Sequence, residues 1–95
     1  MAAYVIADVD VTDPTGFAEY RALVPATLEP YGGRFLIRGG AHDVAEGDWR
    51  PVRVVVLEFP TMAAAKRWYD SEEYRHPKAL RLRSARTHLV FVEGV

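Results

Sequence analysis

From Tyr4 to Val11 the sequence alternates without a break: Val5, Ala7, Val9 and Val11 fall on one side, Tyr4, Ile6, Asp8 and Asp10 on the other. That is the period of a β-strand, and its second side still carries two large apolar residues, so this strand belongs to a sheet that must be covered twice. Asp13 followed by Pro14 then reads as a helix N-cap with proline at the first helical position. Phe17, Tyr20, Val24 and Leu28 recur behind it at three- and four-residue spacing. Pro25 lies inside that pattern and predicts a kink or break near Leu23. Pro30, Gly32 and Gly33 end the helix and turn the chain.

Arg34–Arg38 and Val52–Phe59 are apolar, the second β-branched, and both read as strands. The polar stretch Ala41–Pro51 between them is longer than a tight hairpin needs, and long loops often carry function. Thr61 caps a second helix with Ala65, Trp68 and Tyr69 on one face. Ser71 begins a further turn with Glu72 and Glu73 near its positive end. Pro77–Ala85 suggests a short basic helical segment, and Thr87–Glu93 is the last strand. The order strand, helix, strand, strand, helix, strand is the split βαβ, ferredoxin-like arrangement of the α+β class. It is a four-stranded antiparallel sheet with helices on one face. The other face carries Tyr4, Ile6, Leu36, Val54 and Val56, and a second copy of so short a chain is its simplest cover, giving a two-fold homodimer.

Ninety-five residues leave room for one domain, 1–95, burying roughly 65% of its unfolded surface. Residues 1–60 carry five basic and nine acidic side chains and 61–95 seven and four, yet no linker separates them, so the two halves are opposed charges on packed elements. The formal net charge of -1 argues against nucleic acid or anionic membrane as a partner. With no cysteine, thiolate metal sites, disulfides and cysteine nucleophiles are excluded. No apolar run reaches membrane-span length and the start lacks a signal-peptide pattern, so a cytoplasmic location is expected.

Alternation places Asp8, Arg38 and Glu58 together on the face away from the helices. There Arg38 would bind an anionic or enolate oxygen of a small ligand, and Glu58 or Asp8 would accept a proton. The competing account is an ion-pair network that fixes strand register or the dimer. If Arg53 rather than Glu58 points inward, the site becomes doubly basic with Arg38 and suits a carboxylate or phosphate. His42, on the long loop, is the candidate general base or haem ligand. His76 reads as a cap before Pro77, and His88 opens the last strand. No two histidines have ligand spacing, so neither metal nor cofactor is expected. Tyr69 and Tyr74, with Tyr4 and Arg53, are the candidate substrate contacts, and Trp68 is core. Arg75, Lys78, Arg81, Arg83 and Arg86 form a basic run best read as a solvated face. The third strand lacks the glycine-aromatic pattern of an RNA-binding sheet, and the glycine pairs do not match a phosphate loop.

Three segments carry a family resemblance: Tyr31-Gly32-Gly33-Arg34-Phe35-Leu36-Ile37-Arg38-Gly39-Gly40, Arg53-Val54-Val55-Val56-Leu57-Glu58-Phe59-Pro60, and Trp68-Tyr69-Asp70-Ser71-Glu72-Glu73-Tyr74. With them the chain resembles the domain-of-unknown-function 1330 family of the dimeric α/β-barrel superfamily. The resemblance implies a subunit whose sheet joins a second sheet to form a barrel across a dimer. It also implies a functional range of cofactor-independent quinone-forming monooxygenases, haem-degrading enzymes, lactone isomerases and small-molecule binders. Arg75-His76-Pro77 departs from the plainer polar stretch of that pattern. The expectation is a homodimer doing cofactor-independent acid/base or oxygen chemistry on a small aromatic or carbonyl metabolite. The alternative is a non-catalytic ligand-binding or stress-linked interaction module.

Overall fold

The computed structural model describes residues 1–95. Strand β1 (Ala3–Val11) leads into helix α1 (Pro14–Leu28), a single 3-10 turn (Glu29–Tyr31), and strands β2 (Arg34–Arg38) and β3 (Val54–Phe59). Helices α2 (Met62–Tyr69) and α3 (Glu72–Ser84) then precede strand β4 (Ala85–Glu93). The sheet is antiparallel in the order β2-β3-β1-β4, so the first and third strands are central, as the ferredoxin-like reading requires.

The helices take the apolar side of β1. Val5, Ala7 and Val9 are buried there, and the largest fully buried side chains are Trp68, Tyr74 and Phe59. Each contributes about 1.5–3 kcal/mol by burial. Trp68 stacks 4.0 Å from Tyr74 between ring centroids, and its indole N–H donates to Thr27 Oγ1 at 3.0 Å. Two caps hold the helices where expected: Thr61 Oγ1 accepts from Ala64 N, and Ser71 Oγ from Tyr74 N. Asp13 occupies the α1 N-cap position without a side-chain cap bond.

Three local expectations are corrected. Helix α1 runs through Pro25 unbroken. The missing proline N–H leaves the Arg21 carbonyl without its helical donor, and Arg38 Nη2 supplies one from outside at 2.7 Å. Helix α3 likewise runs through Pro77 as one helix, because the bond Pro77 forgoes belongs to the exposed first turn; His76 is therefore an exposed mid-helix residue and not a cap. The third correction moves a site residue. Phe35 pairs with Leu57 and Ile37 with Val56, so Leu36 is one residue too many for its partner strand, a β-bulge. Leu36 and Ile37 both present to the open face, and Arg38 is shifted to the helix face.

Candidate functional site in the helix–sheet cavity

The expected cluster of Asp8, Arg38 and Glu58 does not assemble. Asp8 and Glu58 do lie on the open face. Glu58 sits across from Tyr4 and Asp8 across from Val54, which separates them by four residues of β1, roughly 13 Å. Glu58 Oε1 instead accepts from Arg34 Nε at 2.7 Å. Asp8 works as a loop anchor: Oδ1 accepts from Val52 N at 2.8 Å and Arg53 N at 3.2 Å, and Oδ2 from the Trp49 indole at 3.1 Å. Burial pushes the Asp8 pKa upward, but these donors outweigh it and hold the carboxyl below its usual range. His88 pairs with Asp8 across the β1–β4 ladder on the same open face.

The remaining candidates divide. His42 Nε2 lies 2.8 Å from the Pro51 carbonyl on the exposed loop, bracing it, and His42 does not line the helix–sheet cavity. Tyr4 faces the open side. Tyr69 packs edge-on to Phe91 with Lys78 Nζ over its ring at 4.2 Å and does not line the cavity. Arg38, Arg53 and Tyr74 do come together, on the helix side of the sheet. They line a cavity of about 40 Å³ between α1, α3 and the strands, walled otherwise by Val5, Ala7, Phe17, Val24 and Leu57 among others.

Two arginines absent from the candidate set, Arg21 and Arg81, line the same space, and no aspartate or glutamate does. Arg81 is only 4% exposed, so the basic run of α3 is not wholly a solvated face. Its position seven residues after Tyr74 was the available signal, since two turns return a helical residue to the same side. Tyr20, read from sequence as packing, also lines the cavity.

Local chemistry fixes the arginines. Arg38 lies over the Phe35 ring at 4.3 Å and Arg53 over Phe17 at 5.8 Å, so aromatic faces support both guanidiniums, while one Arg38 nitrogen is committed to the Arg21 carbonyl. Asp8 sets the backbone of Arg53, and Gly39, at φ 73°, lets the chain pass beneath the Arg53 guanidinium: a Cβ at Gly39 would run into Nη1. Arg53 Nε is buried with no hydrogen-bond partner. Burial first, and then the neighbouring Arg21 charge, hold both Arg38 and Arg53 below the ordinary arginine value; Arg38 adds to the effect on Arg53. Both remain charged near neutrality. At its present size the cavity holds roughly three waters.

A ferredoxin-like α+β subunit with a positively charged, otherwise apolar pocket between sheet and helices is the class these features define. The chain belongs to the family described as domain of unknown function (DUF1330), whose model matches residues 2–95. Comparison with curated proteins finds no match. Among solved structures, a protein of unknown function from Rhodopseudomonas palustris is 18% identical with a TM-score of 0.77, the match covering 99% of this chain and 82% of that one. A dimeric ferredoxin-like protein of unknown function from Jannaschia sp. CCS1 is 14% identical with a TM-score of 0.72, covering 99% and 100%. SnoaB, a cofactor-independent oxygenase from Streptomyces nogalater, is 11% identical with a TM-score of 0.63, covering 99% and 92%. At these identities the likeness is one of fold. No helix of the chain is long and apolar enough to cross a membrane.

Proposed function

We propose that this protein holds a small organic anion, a carboxylate or enolate, in the helix–sheet cavity of each subunit of a homodimer. Arg38 and Arg53 take the negative group, and the apolar walls take the hydrocarbon body. The observation that carries this reading is four arginine residues, Arg21, Arg38, Arg53 and Arg81, and no aspartate or glutamate among those that line one small cavity. Cations gathered in an apolar setting repel one another and are undersolvated, and an anion relieves both costs. The planar fork of arginine suits a carboxylate in particular.

The lining offers no carboxylate or histidine to take a proton, so the chemistry it favours is stabilisation of an anion that the substrate itself forms, as in enolate or phenolate reactions. Cofactor-independent oxygenation has that requirement, and the fold likeness to SnoaB is in keeping with it. The Asp8, Glu58 and His42 roles expected from sequence are not part of this reading. The non-catalytic alternative uses the same cavity for binding without turnover. A second copy covers the open face, where Leu36, Ile37, Val90 and Val92 are each more than 40% exposed; the Jannaschia relative is described as dimeric.

Titration calorimetry with benzoate and benzyl alcohol tests the anion reading. Benzoate binds and the alcohol does not, and Arg38→Met and Arg53→Met each weaken benzoate at least tenfold; Arg53→Met does so without lowering Tm, whereas Arg38→Met also orphans the Arg21 carbonyl. Equal binding of the two compounds by wild type would sink the reading. So would a drop in Tm of more than about 5 °C in Arg53→Met, roughly 1 kcal/mol at this size, because that guanidinium would then be a structural partner. Native mass spectrometry checks the dimer, and a monomer at micromolar concentration would remove it.

A further inference from the structure

A chain of three polar groups ends at the cavity wall. Arg81 Nε donates to Tyr74 Oη at 3.3 Å, and Tyr74 Oη lies 2.8 Å from Tyr20 Oη. Arginine only donates, whereas a phenol hydroxyl brings one hydrogen and accepts as well. One hydrogen therefore bridges the two phenols, and the other is left over. If Tyr20 donated to Tyr74, the leftover hydrogen would be that of Tyr74, which is 0% exposed and has no further acceptor. A buried unsatisfied donor costs about 1–3 kcal/mol. The opposite order, Arg81 to Tyr74 to Tyr20, satisfies the fully buried Tyr74 and leaves the leftover hydrogen on Tyr20, the less buried of the two, at the cavity it lines.

We infer that Tyr20 is a hydrogen-bond donor to the bound ligand, so that the ligand is a carboxylate carrying a second oxygen acceptor, a carbonyl or a phenolic oxygen. The inference rests on the anion-cavity reading and narrows it to oxo acids and hydroxyaromatic acids. Packing fixes both phenol rings in place, since Tyr74 stacks on Trp68 at 4.0 Å and Tyr20 packs on Phe17 at 5.4 Å. Burial, then Tyr74, raises the Tyr20 pKa above its usual value, so the hydroxyl keeps its proton. Donation from the Arg81 cation polarises each hydroxyl in turn, which makes Tyr20 a better donor to a developing oxyanion than an isolated phenol. Tyr74 and Arg81 are positioning residues; Tyr20 touches the ligand.

The test compares the three hydroxybenzoates with the three methylbenzoates of the same ring position, by calorimetry on the intact protein. Wild type prefers at least one hydroxybenzoate over its methyl counterpart by about five- to tenfold, the worth of one hydrogen bond. Tyr20→Phe erases that preference while methylbenzoate affinity stays within twofold, and Tyr74→Phe reduces it. If Tyr20→Phe does not fold, tyrosine labelled with carbon-13 at Cζ reads the same contact in wild type: the Tyr20 resonance moves with the hydroxybenzoate and not with the methylbenzoate. Binding of all six compounds with no preference, or a preference that survives Tyr20→Phe, overturns the Tyr20 assignment and leaves the anion cavity standing. Failure of every benzoate to bind removes the cavity reading, and the Tyr20 assignment with it.

Discussion

On the open face of the sheet every acid singled out from sequence has a partner: Glu58 pairs with Arg34 at 2.7 Å, and Asp8 gathers three N–H donors from the loop that ends at Arg53. On the helix face of the same strands no arginine has a carboxylate: Arg38 and Arg53 meet aromatic rings and each other's charge, Arg38 also the Arg21 carbonyl, and Arg81 a phenol. Charges that are paired at a surface hold structure in place, each worth about 0–1 kcal/mol. Unpaired charges kept in a cavity are not explained by stability, because stability would remove them. The difference separates the two kinds of charged residue better than their sequence neighbourhoods do, and it moves the site from the face where alternation puts it to the face where the helices are.

The comparison breaks most visibly at Tyr74. Tyr74→Ala removes a fully buried ring and the one acceptor of Arg81 Nε, and urea denaturation is expected to register a loss of about 3–5 kcal/mol; a loss below about 1.5 would mean that the Arg81 chain contributes nothing to the packed side. Next comes Gly39→Ala, where the left-handed backbone and the Arg53 guanidinium both oppose a Cβ. It costs about 1–2 kcal/mol and weakens benzoate binding by displacing Arg53, whereas unaltered benzoate affinity would detach Arg53 from the site.

Asp8 sharpens the open-face half of the comparison. Its folded pKa lies below the unfolded value of about 3.9, so its stabilisation is complete above that value and is lost as pH falls through the folded one. The Tm curves of wild type and Asp8→Asn should lie apart at pH 7, by about 1 kcal/mol in stability, and converge as pH falls through the lowered folded pKa. Curves that stay parallel into acid would contradict an ionised anchor. The smallest effect belongs to Glu58→Gln. That exposed pair is worth within about 0.5 kcal/mol, and benzoate affinity should not change; a clear loss of binding would return Glu58 to the site.

Period and punctuation in the sequence determine most of the fold. The β1 alternation, the Thr61 and Ser71 caps, the glycine turn at 32–33 and the β-branched run of β3 each dictate their element through local sterics and hydrogen bonding, and together they leave one plausible strand order. The parity that puts Glu58 on the open face holds, and Arg53, weighed from sequence as its alternative on that face, lies instead on the helix face. What only the tertiary structure decided is where Arg38 points and what Arg81 touches. A bulge at Leu36 is set by how β2 pairs with β3, and no local pattern announces it, yet it reverses the face of every residue that follows in the strand. Pro25 withholds one N–H from α1, and the carbonyl of Arg21 becomes a docking point only because β2 passes beside it. Such features depend on groups distant in sequence meeting in space, and the cavity of four arginines is made of them.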